Sequence, residues 1–324
     1  MKRAIFKGVG GYLPEKIVTN ADLEKIVDTN SDWIIQRTGI EQRYFAAEDQ
    51  ATSDLAAAAA NKALTHAGLD AADIDCIIVA TTTPDLTFPA TAAIVQAKIG
   101  MKVGTAAFDV QAVCSGFVYA LTIANSFIVS GQHKRILVIG AEIMSRLLDW
   151  NDRTTCLLFG DGAGAVILEL AEGKGDVNDR GILSTHLHSD GANTNLLYTT
   201  GGPGTNGISG KLVMLGRDVY RHAVQRLAEV VEETLLANNL EKTAIDWLVP
   251  HQANKRIIES TAEKLGLSMD KVILTVARHG NTSAASVPLA LADAVENNRF
   301  KPGELLLLEA MGAGLTWGSA LVRW

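Results

Sequence analysis

Short apolar segments alternate with longer amphipathic segments along all 324 residues of the chain. Segments 135–139 and 304–310 have the length and composition of buried strands, whereas 53–67 and 255–265 have helical periodicity. Such alternation is typical of an α/β architecture with largely buried sheets. The other predicted strands are 74–82, 106–110, 163–170, 247–250, 272–275 and 318–324, and the other predicted helices are 115–129, 215–238 and 283–297.

A weak internal repeat divides these segments into two similar halves. In the first half a strand ends at Cys114, a helix rich in small residues follows, and a glycine-rich segment, 160–168, closes the unit. The second half repeats this order around Asn281 and closes with another glycine-rich segment. We therefore predict two duplicated halves, 1–172 and 173–324. Cys114 and Asn281 would then lie at equivalent helix N-termini that face one another across a pseudo-twofold axis.

Composition narrows the class of protein. Hydrophobic residues make up 48% of the chain and charged residues 20%, which is ordinary for a globular protein with a large core. The net charge of -7 argues against nucleic acid as a partner. Three scattered cysteines suggest neither a disulfide framework nor a metal site, and they fit a reducing compartment. Because we find no signal peptide and no apolar run of membrane-spanning length, we expect a cytoplasmic protein without membrane association.

Cys114 is the strongest candidate for a reactive group. It lies where a predicted strand runs directly into a helix that opens Ser115-Gly116. The N-terminus of a helix favours thiolate over thiol, so we expect the pKa of Cys114 to lie below the usual value of about 8.5. Taken alone, the residue is equally well explained as a small buried side chain. We assign that structural role to Cys76 and Cys156, which lie within apolar segments.

Two further polar residues occupy loops of the kind that often carry function. His251 follows a predicted strand and precedes a helix, and Asn281 lies in a Gly-Asn-Thr-Ser segment before the last predicted helix. Each has an ordinary explanation as well, because a loop histidine or asparagine often caps a helix or satisfies a turn.

Nine short motifs, each weakly specific alone, occur in order along the chain. They are Gly11-Tyr12-Leu13-Pro14, Asp32-Trp33-Ile34, Arg37-Thr38-Gly39-Ile40, Val113-Cys114-Ser115-Gly116, Asp152-Arg153, Leu158-Phe159-Gly160-Asp161-Gly162-Ala163-Gly164-Ala165, His251-Gln252-Ala253-Asn254, Gly280-Asn281-Thr282-Ser283-Ala284-Ala285-Ser286 and Gly314-Leu315-Thr316-Trp317-Gly318. Together they closely resemble, nearly from end to end, the thiolase-like condensing enzymes, and among these the β-ketoacyl-acyl carrier protein synthase III family.

The resemblance implies a fold and a set of catalytic groups. The fold would be the thiolase-like five-layer α-β-α-β-α arrangement of two duplicated halves. Cys114 would be the nucleophile, and His251 and Asn281 would stabilise the enolate formed from a malonyl group. The backbone N–H groups of Cys114 and Ala313 would form the oxyanion hole. The implied reaction condenses a short acyl-CoA, such as acetyl-CoA, with malonyl-acyl carrier protein and releases CO2 and CoA.

The resemblance also implies binding residues and partners. Coenzyme A would enter as part of the thioester substrate, with no separate cofactor, and the enzyme would be a homodimer. The implied CoA contacts are Trp33, Arg37, Arg153, Gly216 and Asn254; Phe88 would close the acyl pocket of the partner subunit; and Arg217, Arg221 and Arg256 would dock the acyl carrier protein. Met311 and Ala313 depart from the aromatic residue and the glycine that the family commonly has there.

Three other functions remain open on the sequence. A related condensing enzyme of the polyketide or alkylquinolone type would use malonyl-CoA in place of the carrier-bound substrate. A cysteine hydrolase would use Cys114 and His251 but would leave Asn281 unexplained. A dimeric scaffold without activity would keep the glycines and would have no need for the three polar residues together.

Overall fold

The computed structural model describes residues 1–324 as strands and helices in alternation. The strands are β1 Lys2–Tyr12, β2 Lys16–Thr19, β3 Gln42–Phe45, β4 Cys76–Ala80, β5 Ala106–Val110, β6 Arg135–Ile143, β7 Asp161–Glu172, β8 Gly181–Ser189, β9 Leu197–Gly202, β10 Ile208–Met214, β11 Trp247–Pro250, β12 Leu305–Gly312 and β13 Thr316–Arg323. The α-helices are α1 Asn20–Leu23, α2 Ser31–Thr38, α3 Thr52–Ala67, α4 Thr91–Lys98, α5 Gly116–Ser130, α6 Gly216–Ala237, α7 Lys255–Leu265, α8 Val276–His279 and α9 Ser286–Glu296.

Two main sheets repeat one pattern of strands. The first has the order β1-β7-β6-β4-β5, and the second has the order β8-β13-β12-β11 when read in the same sense. In both, the last two matched strands are parallel and the others pair antiparallel. The first sheet comes entirely from residues 2–172 and the second from 181–323.

The second sheet lacks a counterpart of β5. At that position Val272 forms a single parallel bridge with Leu248 of β11. The predicted strand 272–275 is therefore wrong, because a 3-10 turn ends at Lys271 and α8 begins at Val276, leaving too few residues for a ladder. The predictions also missed β8 at the edge of the second sheet and two small sheets, β2-β3 and β9-β10.

Five layers follow from which elements touch which sheet. Helices α5 and α9 lie between the two sheets and contact strands of both. Helices α3 and α4 cover the outer face of the first sheet, and α6 covers the outer face of the second with α7 packed beside it. The predicted α-β-α-β-α arrangement is confirmed. The central strand β4 is a continuous apolar run because both faces of the sheet are covered there.

A row of three glycines sets how closely the middle layer approaches the first sheet. Gly11, Gly164 and Gly140 are direct neighbours across β1, β7 and β6. A Cβ atom at Gly164 would lie 2.6 Å from the backbone nitrogen of Leu289 in α9. A Cβ atom at Gly140 would lie 2.2 Å from the carbonyl oxygen of Ala284, in the turn before α9. The missing side chains therefore let this turn and helix rest directly on the strands.

The length and composition of α5 bear on the prediction that the chain has no apolar run of membrane-spanning length. The segment Val113–Ser130 has a mean hydropathy of 1.6 over 18 residues, so it is long and apolar enough to cross a membrane by length and composition. The expectation that no apolar run reaches this length is wrong. In the fold, α5 is a core helix whose apolar side chains pack between the two sheets, which accounts for its composition.

We expect Gly164→Ala to destabilise the protein. Its new methyl group would press on the backbone at Pro288 and Leu289, which has no side-chain freedom to relax. The cost should be about 1–3 kcal/mol of unfolding free energy, measured by denaturant unfolding. Gly191→Ala is the matched control, since a methyl group there meets open space. Equal stability of the two variants would contradict the role given to the glycine row.

Candidate active site

One large cavity brings together most of the predicted site residues. Its volume is about 850 Å3, and Cys114, His251 and Asn281 all line it. These three side chains are buried, whereas Arg153 and Arg217, which line the same cavity, are exposed. The cavity therefore runs from a charged, open mouth to a closed inner end that holds the three candidate catalytic groups.

Cys114 is held by a strained turn. It lies in the 3-10 turn Val113–Ser115 between β5 and α5, and Val113 has a φ of +48°, which a β-branched residue rarely adopts. The second half has the same turn before α9, where Ser283 has a φ of +50°. On this match Ala284 corresponds to Cys114, and Asn281 lies three residues earlier in the chain. The two turns are equivalent, but Cys114 and Asn281 do not occupy equivalent positions in them.

The thiol is protonated in this environment. Burial raises the pKa of Cys114 to about 12; a hydrogen bond from Ser283 acts to lower it, and the nearby charge of Glu142 acts to raise it. The expectation that the helix N-terminus lowers this pKa is wrong, because the side chain is buried and precedes the first turn of α5, so desolvation of the charged form outweighs the helix terminus. Cys76 and Cys156 are also buried, and burial raises both of their pKa values.

His251 is oriented by a serine. Its Nδ1 lies 2.5 Å from Oγ of Ser286, and that same oxygen accepts a hydrogen bond from the backbone N–H of Gln252. When Ser286 donates to Nδ1, the proton of the neutral imidazole lies on Nε2. Burial lowers the pKa of His251 to about 3, so the ring is neutral and acts as a hydrogen-bond donor through Nε2.

Asn281 is fixed from two sides. Its backbone pairs with the glycine-rich segment, donating to the carbonyl of Leu158 and accepting from the N–H of Gly160 at 2.9 Å each. Its side-chain Oδ1 accepts a hydrogen bond from the backbone N–H of Ser283 at 2.9 Å. The Nδ2 group of Asn281 has no hydrogen-bond partner in the protein. It can therefore donate to a ligand in the cavity.

Two backbone donors lie close to the thiol. The N–H groups of Cys114 and Ala313 donate no hydrogen bond within the chain. The turn that carries Ala313 passes close to the cysteine, since a Cβ atom at Gly312 would lie 2.6 Å from the nitrogen of Cys114. Gly312 and Met311 line the cavity. Backbone donors without a partner beside a nucleophile are the requirement for an oxyanion hole.

The mouth of the cavity carries an aromatic ring flanked by cations. The guanidinium carbon of Arg37 lies 5.3 Å from the ring centre of Trp33, and that of Arg153 lies 5.6 Å from it. Arg153 also donates to the backbone carbonyl of Asp28 at 2.9 Å. Planar cations and an indole ring together suit a planar, anionic ligand such as a nucleotide.

Two further predicted contacts line the wall between mouth and inner end. Asn254 is the N-cap of α7, where its Oδ1 accepts from the backbone N–H groups of Arg256 and Ile257. That engagement leaves its Nδ2 free for a ligand. Gly216 is the first residue of α6 and lines the cavity. Because glycine has no side chain, a ligand can pass close to the backbone at this wall.

The remaining predicted residues lie outside or at the rim. Phe88 does not line the cavity and is 82% exposed on the loop after β4. Arg217 and Arg256 are exposed at the rim, and Arg256 lies over the ring of Tyr220. Arg221 is exposed beyond the rim, where it pairs with Asp218 at 2.5 Å.

Sequence reasoning missed three residues near the inner end. Ser286 orients His251, and the buried carboxylate of Glu142 hydrogen-bonds to Ser283, which lies beside Cys114. Glu142 interrupts the apolar strand β6, and a lone acid in such a strand is a usable signal. Ser283 and Ser286 lie in the Gly280–Ser286 motif, but the motif alone assigned a role only to Asn281.

Known proteins match the chain over its whole length. Residues 108–191 match the family model described as 3-oxoacyl-[acyl-carrier-protein (ACP)] synthase III, and residues 235–324 match its C-terminal model. The β-ketoacyl-[acyl-carrier-protein] synthase III of Paramagnetospirillum magneticum is 62% identical, covering 98% of this chain and 97% of its own.

Solved structures match the fold equally well. The crystal structure of 3-oxoacyl-[acyl-carrier-protein] synthase III from Aquifex aeolicus has 45% identity and a TM-score of 0.93, covering 99% of this chain and 100% of its own. The priming β-ketosynthase of the R1128 polyketide pathway has 33% identity and a TM-score of 0.92, covering 99% of this chain and 96% of its own. The chain belongs to the 3-oxoacyl-acyl carrier protein synthase III family of thiolase-fold condensing enzymes.

Proposed function

We propose that the protein catalyses the initiating condensation of bacterial fatty-acid synthesis. In this reaction a short acyl-CoA, such as acetyl-CoA, condenses with malonyl-acyl carrier protein to give 3-oxoacyl-acyl carrier protein, CO2 and CoA. The observation that carries the proposal is the meeting of Cys114, His251 and Asn281 at the closed end of one cavity. Its open end offers Trp33 and two arginines to a nucleotide.

In the first stage the acyl group moves from CoA to the enzyme. The sulfur of Cys114 attacks the thioester carbonyl, and the thiol proton leaves with the CoA sulfur as CoA thiol. Negative charge develops on the carbonyl oxygen, where the free N–H groups of Cys114 and Ala313 would receive it. One such donor typically contributes about 2.7–4 kcal/mol to lowering the barrier.

In the second stage malonyl-acyl carrier protein loses CO2 and forms a carbanion. The enolate oxygen would accept hydrogen bonds from Nε2 of His251 and Nδ2 of Asn281, the two donors that have no protein partner. The carbanion then attacks the acyl group on Cys114 and releases the thiolate, which takes up a proton from water. A neutral His251 can fill this role, because its Nε2–H group donates a hydrogen bond.

Substrate binding follows the shape of the cavity. The adenine of CoA would stack at Trp33 beside Arg37 and Arg153, and the pantetheine arm would pass Gly216 and Asn254 toward the thiol. The carrier protein delivers its own pantetheine arm by the same path. Its acidic surface would dock on the exposed arginines at and beyond the rim, which are Arg217, Arg221 and Arg256.

A homodimer and a cytoplasmic location belong to the same proposal. Strand β5 lies at the free edge of the first sheet, so it can pair with a second copy. Near it Phe88 and Val103 are exposed apolar residues, and Phe88 would reach the acyl pocket of the partner. All three cysteines are free, which suits a reducing compartment.

The geometry argues against a cysteine hydrolase but does not distinguish a polyketide-type condensing enzyme from the proposed function. A cysteine hydrolase would need His251 to accept the thiol proton, but burial lowers the pKa of His251 to about 3 and makes it a poor base. A polyketide-type enzyme would share the whole catalytic arrangement and differ only in its malonyl donor. Comparing malonyl-CoA with malonyl-carrier protein as the second substrate therefore decides between the two condensing functions.

Replacing Cys114 with Ala should abolish transfer of the acyl group to the protein. Decarboxylation of malonyl-carrier protein should continue, because its two proposed donors remain. Radiolabelled acetyl-CoA followed by peptide mapping measures the first effect, and release of CO2 measures the second. A label on Cys76 or Cys156 in the native enzyme would overturn the assignment of the nucleophile.

His251→Ala and Asn281→Ala should show the opposite pattern. Each removes one donor to the enolate, so decarboxylation and condensation should fall about 100- to 1,000-fold while Cys114 is still acylated. The two half-reactions are measured separately with labelled acetyl-CoA and labelled malonyl-carrier protein. Decarboxylation at the native rate in either variant would exclude that residue from the second stage.

Arg256→Glu should weaken use of malonyl-carrier protein strongly and acylation by acetyl-CoA only slightly. Its exposed charge at the rim acts mainly on the encounter rate with an acidic partner and is screened by salt. The readouts are kcat/KM for each substrate at low and high ionic strength. Lys174→Glu is the matched control, because Lys174 is also exposed and lies away from the cavity lining. Equal losses with both substrates would assign Arg256 to CoA binding or to folding.

A further inference from the structure

Gln252 is a buried residue between β11 and α7, and it does not line the cavity. Its side-chain amide has two N–H donors and an oxygen that can accept two hydrogen bonds. The Nε2 group donates to the backbone carbonyls of Pro250 at 2.8 Å and Ile273 at 3.0 Å. The Oε1 atom accepts from the backbone N–H groups of Thr275 at 2.8 Å and Val276 at 3.0 Å. Every hydrogen-bonding position of the amide is therefore used.

These bonds stand in for the strand that the second sheet lacks beside β11. The N–H of Ile273 donates to the carbonyl of Leu248 at 2.9 Å. In a parallel ladder the carbonyl of Ile273 would then accept from the N–H of residue 250. Residue 250 is proline and has no N–H group, so the ladder stops there. The side chain of Gln252 supplies the missing donor and continues the contact as far as Val276.

The same side chain fixes the start of the turn that leads to Asn281. Helix α8 is four residues long, and the side chain of its N-cap, Thr275, makes no capping bond. Oε1 of Gln252 takes that place by accepting from the first N–H groups of the turn. The carbonyl of Val276 accepts from the N–H of Gly280 at 3.0 Å, and Asn281 follows directly. The amide of Gln252 thereby ties the segment that carries Asn281 to the end of β11.

The backbone of Gln252 reaches the other proposed enolate donor. Its N–H group donates to Oγ of Ser286 at 3.3 Å, and the same oxygen lies 2.5 Å from Nδ1 of His251. Through its side chain Gln252 thus holds the helix before Asn281, and through its backbone it holds the serine that orients His251. The two proposed donors come from separate loops, and this residue joins the loops behind them.

We propose that Gln252 is a positioning residue that sets the separation of His251 Nε2 and Asn281 Nδ2, so that both donors meet one enolate oxygen. The enolate gains from both hydrogen bonds only if both donors point at it at the same time. A displacement of about 1 Å at a donor is enough to cost a large part of the rate. The first stage uses neither donor, so it should not depend on Gln252. This inference rests on the proposed function, namely on the roles of His251 and Asn281 in decarboxylation.

The test is Gln252→Glu, which keeps the shape of the side chain. It sets an oxygen in place of Nε2, against the carbonyl oxygens of Pro250 and Ile273. We expect kcat for decarboxylation of malonyl-carrier protein to fall about 10- to 100-fold. KM should change little, because the residue does not line the cavity. Acylation of Cys114 by labelled acetyl-CoA should stay near the native rate.

Two further variants of the site sharpen this test. The fall in kcat caused by Gln252→Glu should be smaller in the His251→Ala background, where only Asn281 is left to misplace. Gln252→Met keeps the volume of the side chain and removes all four bonds, so it should show the same difference between the two stages. If Gln252→Glu does not fold, as judged by circular dichroism, Gln252→Met carries the test.

Gln96→Glu is the matched control. Gln96 lies in α4 on the outer side of the first sheet, where its Nε2 donates to the backbone carbonyl of Thr105 at 3.0 Å. It does not line the cavity. The substitution introduces the same change of an amide donor into an oxygen, and it should leave both stages unchanged.

An unchanged kcat for decarboxylation in Gln252→Glu would overturn the proposal. So would equal losses in both stages, which indicate a role in stability, or a higher KM with unchanged kcat, which indicates a role in binding. His251→Ala and Asn281→Ala, measured in the same assay, separate this inference from the proposed function. If both lose decarboxylation while Gln252→Glu keeps it, only this inference fails. If either keeps the native rate, the proposed function fails and this inference fails with it.

Discussion

The close contact between the first sheet and the middle helix layer supports everything else in the site. Three adjacent glycines let α9 and its preceding turn rest on β1, β7 and β6, and that turn carries Ser283 and Ala284 up to Cys114. Asn281, just upstream, is pinned to the glycine-rich segment by two backbone hydrogen bonds. The nucleophile comes from one sheet, and the groups around it come from the other. Their mutual placement therefore depends on how tightly the layers pack.

Burial then determines the protonation states of the catalytic side chains. At the closed end of the cavity, burial keeps the thiol protonated and His251 neutral. The catalytic groups at this end are therefore neutral. Such a site can receive a developing oxyanion or enolate without first rearranging its own charges.

The sequence predicted the sheets, the main helices and the motifs far better than it predicted the environment of the thiol. Period and composition identify strands such as β11 and helices such as α7, whose predicted and observed bounds agree. The segment 272–275 looked like a strand, but its neighbours left room for one bridge. The pKa of Cys114 was predicted in the wrong direction, because the helix terminus is visible in the sequence and the burial is not. The partners of Glu142 likewise come from segments about 60 and 141 residues away along the chain.

The match between the two strained turns also bears on how a proposed duplication could lead to one active site. Each half offers a turn of the same shape beside the same interface, yet one carries a cysteine where the other carries an alanine. A scaffold with two such positions could hold two acyl groups. Ala284 cannot form a thioester, so the second half does not have to carry a nucleophile. Its loops could instead evolve to supply hydrogen-bond donors and the walls of the substrate path. Two equivalent nucleophiles, one in each half, would have prevented this specialisation.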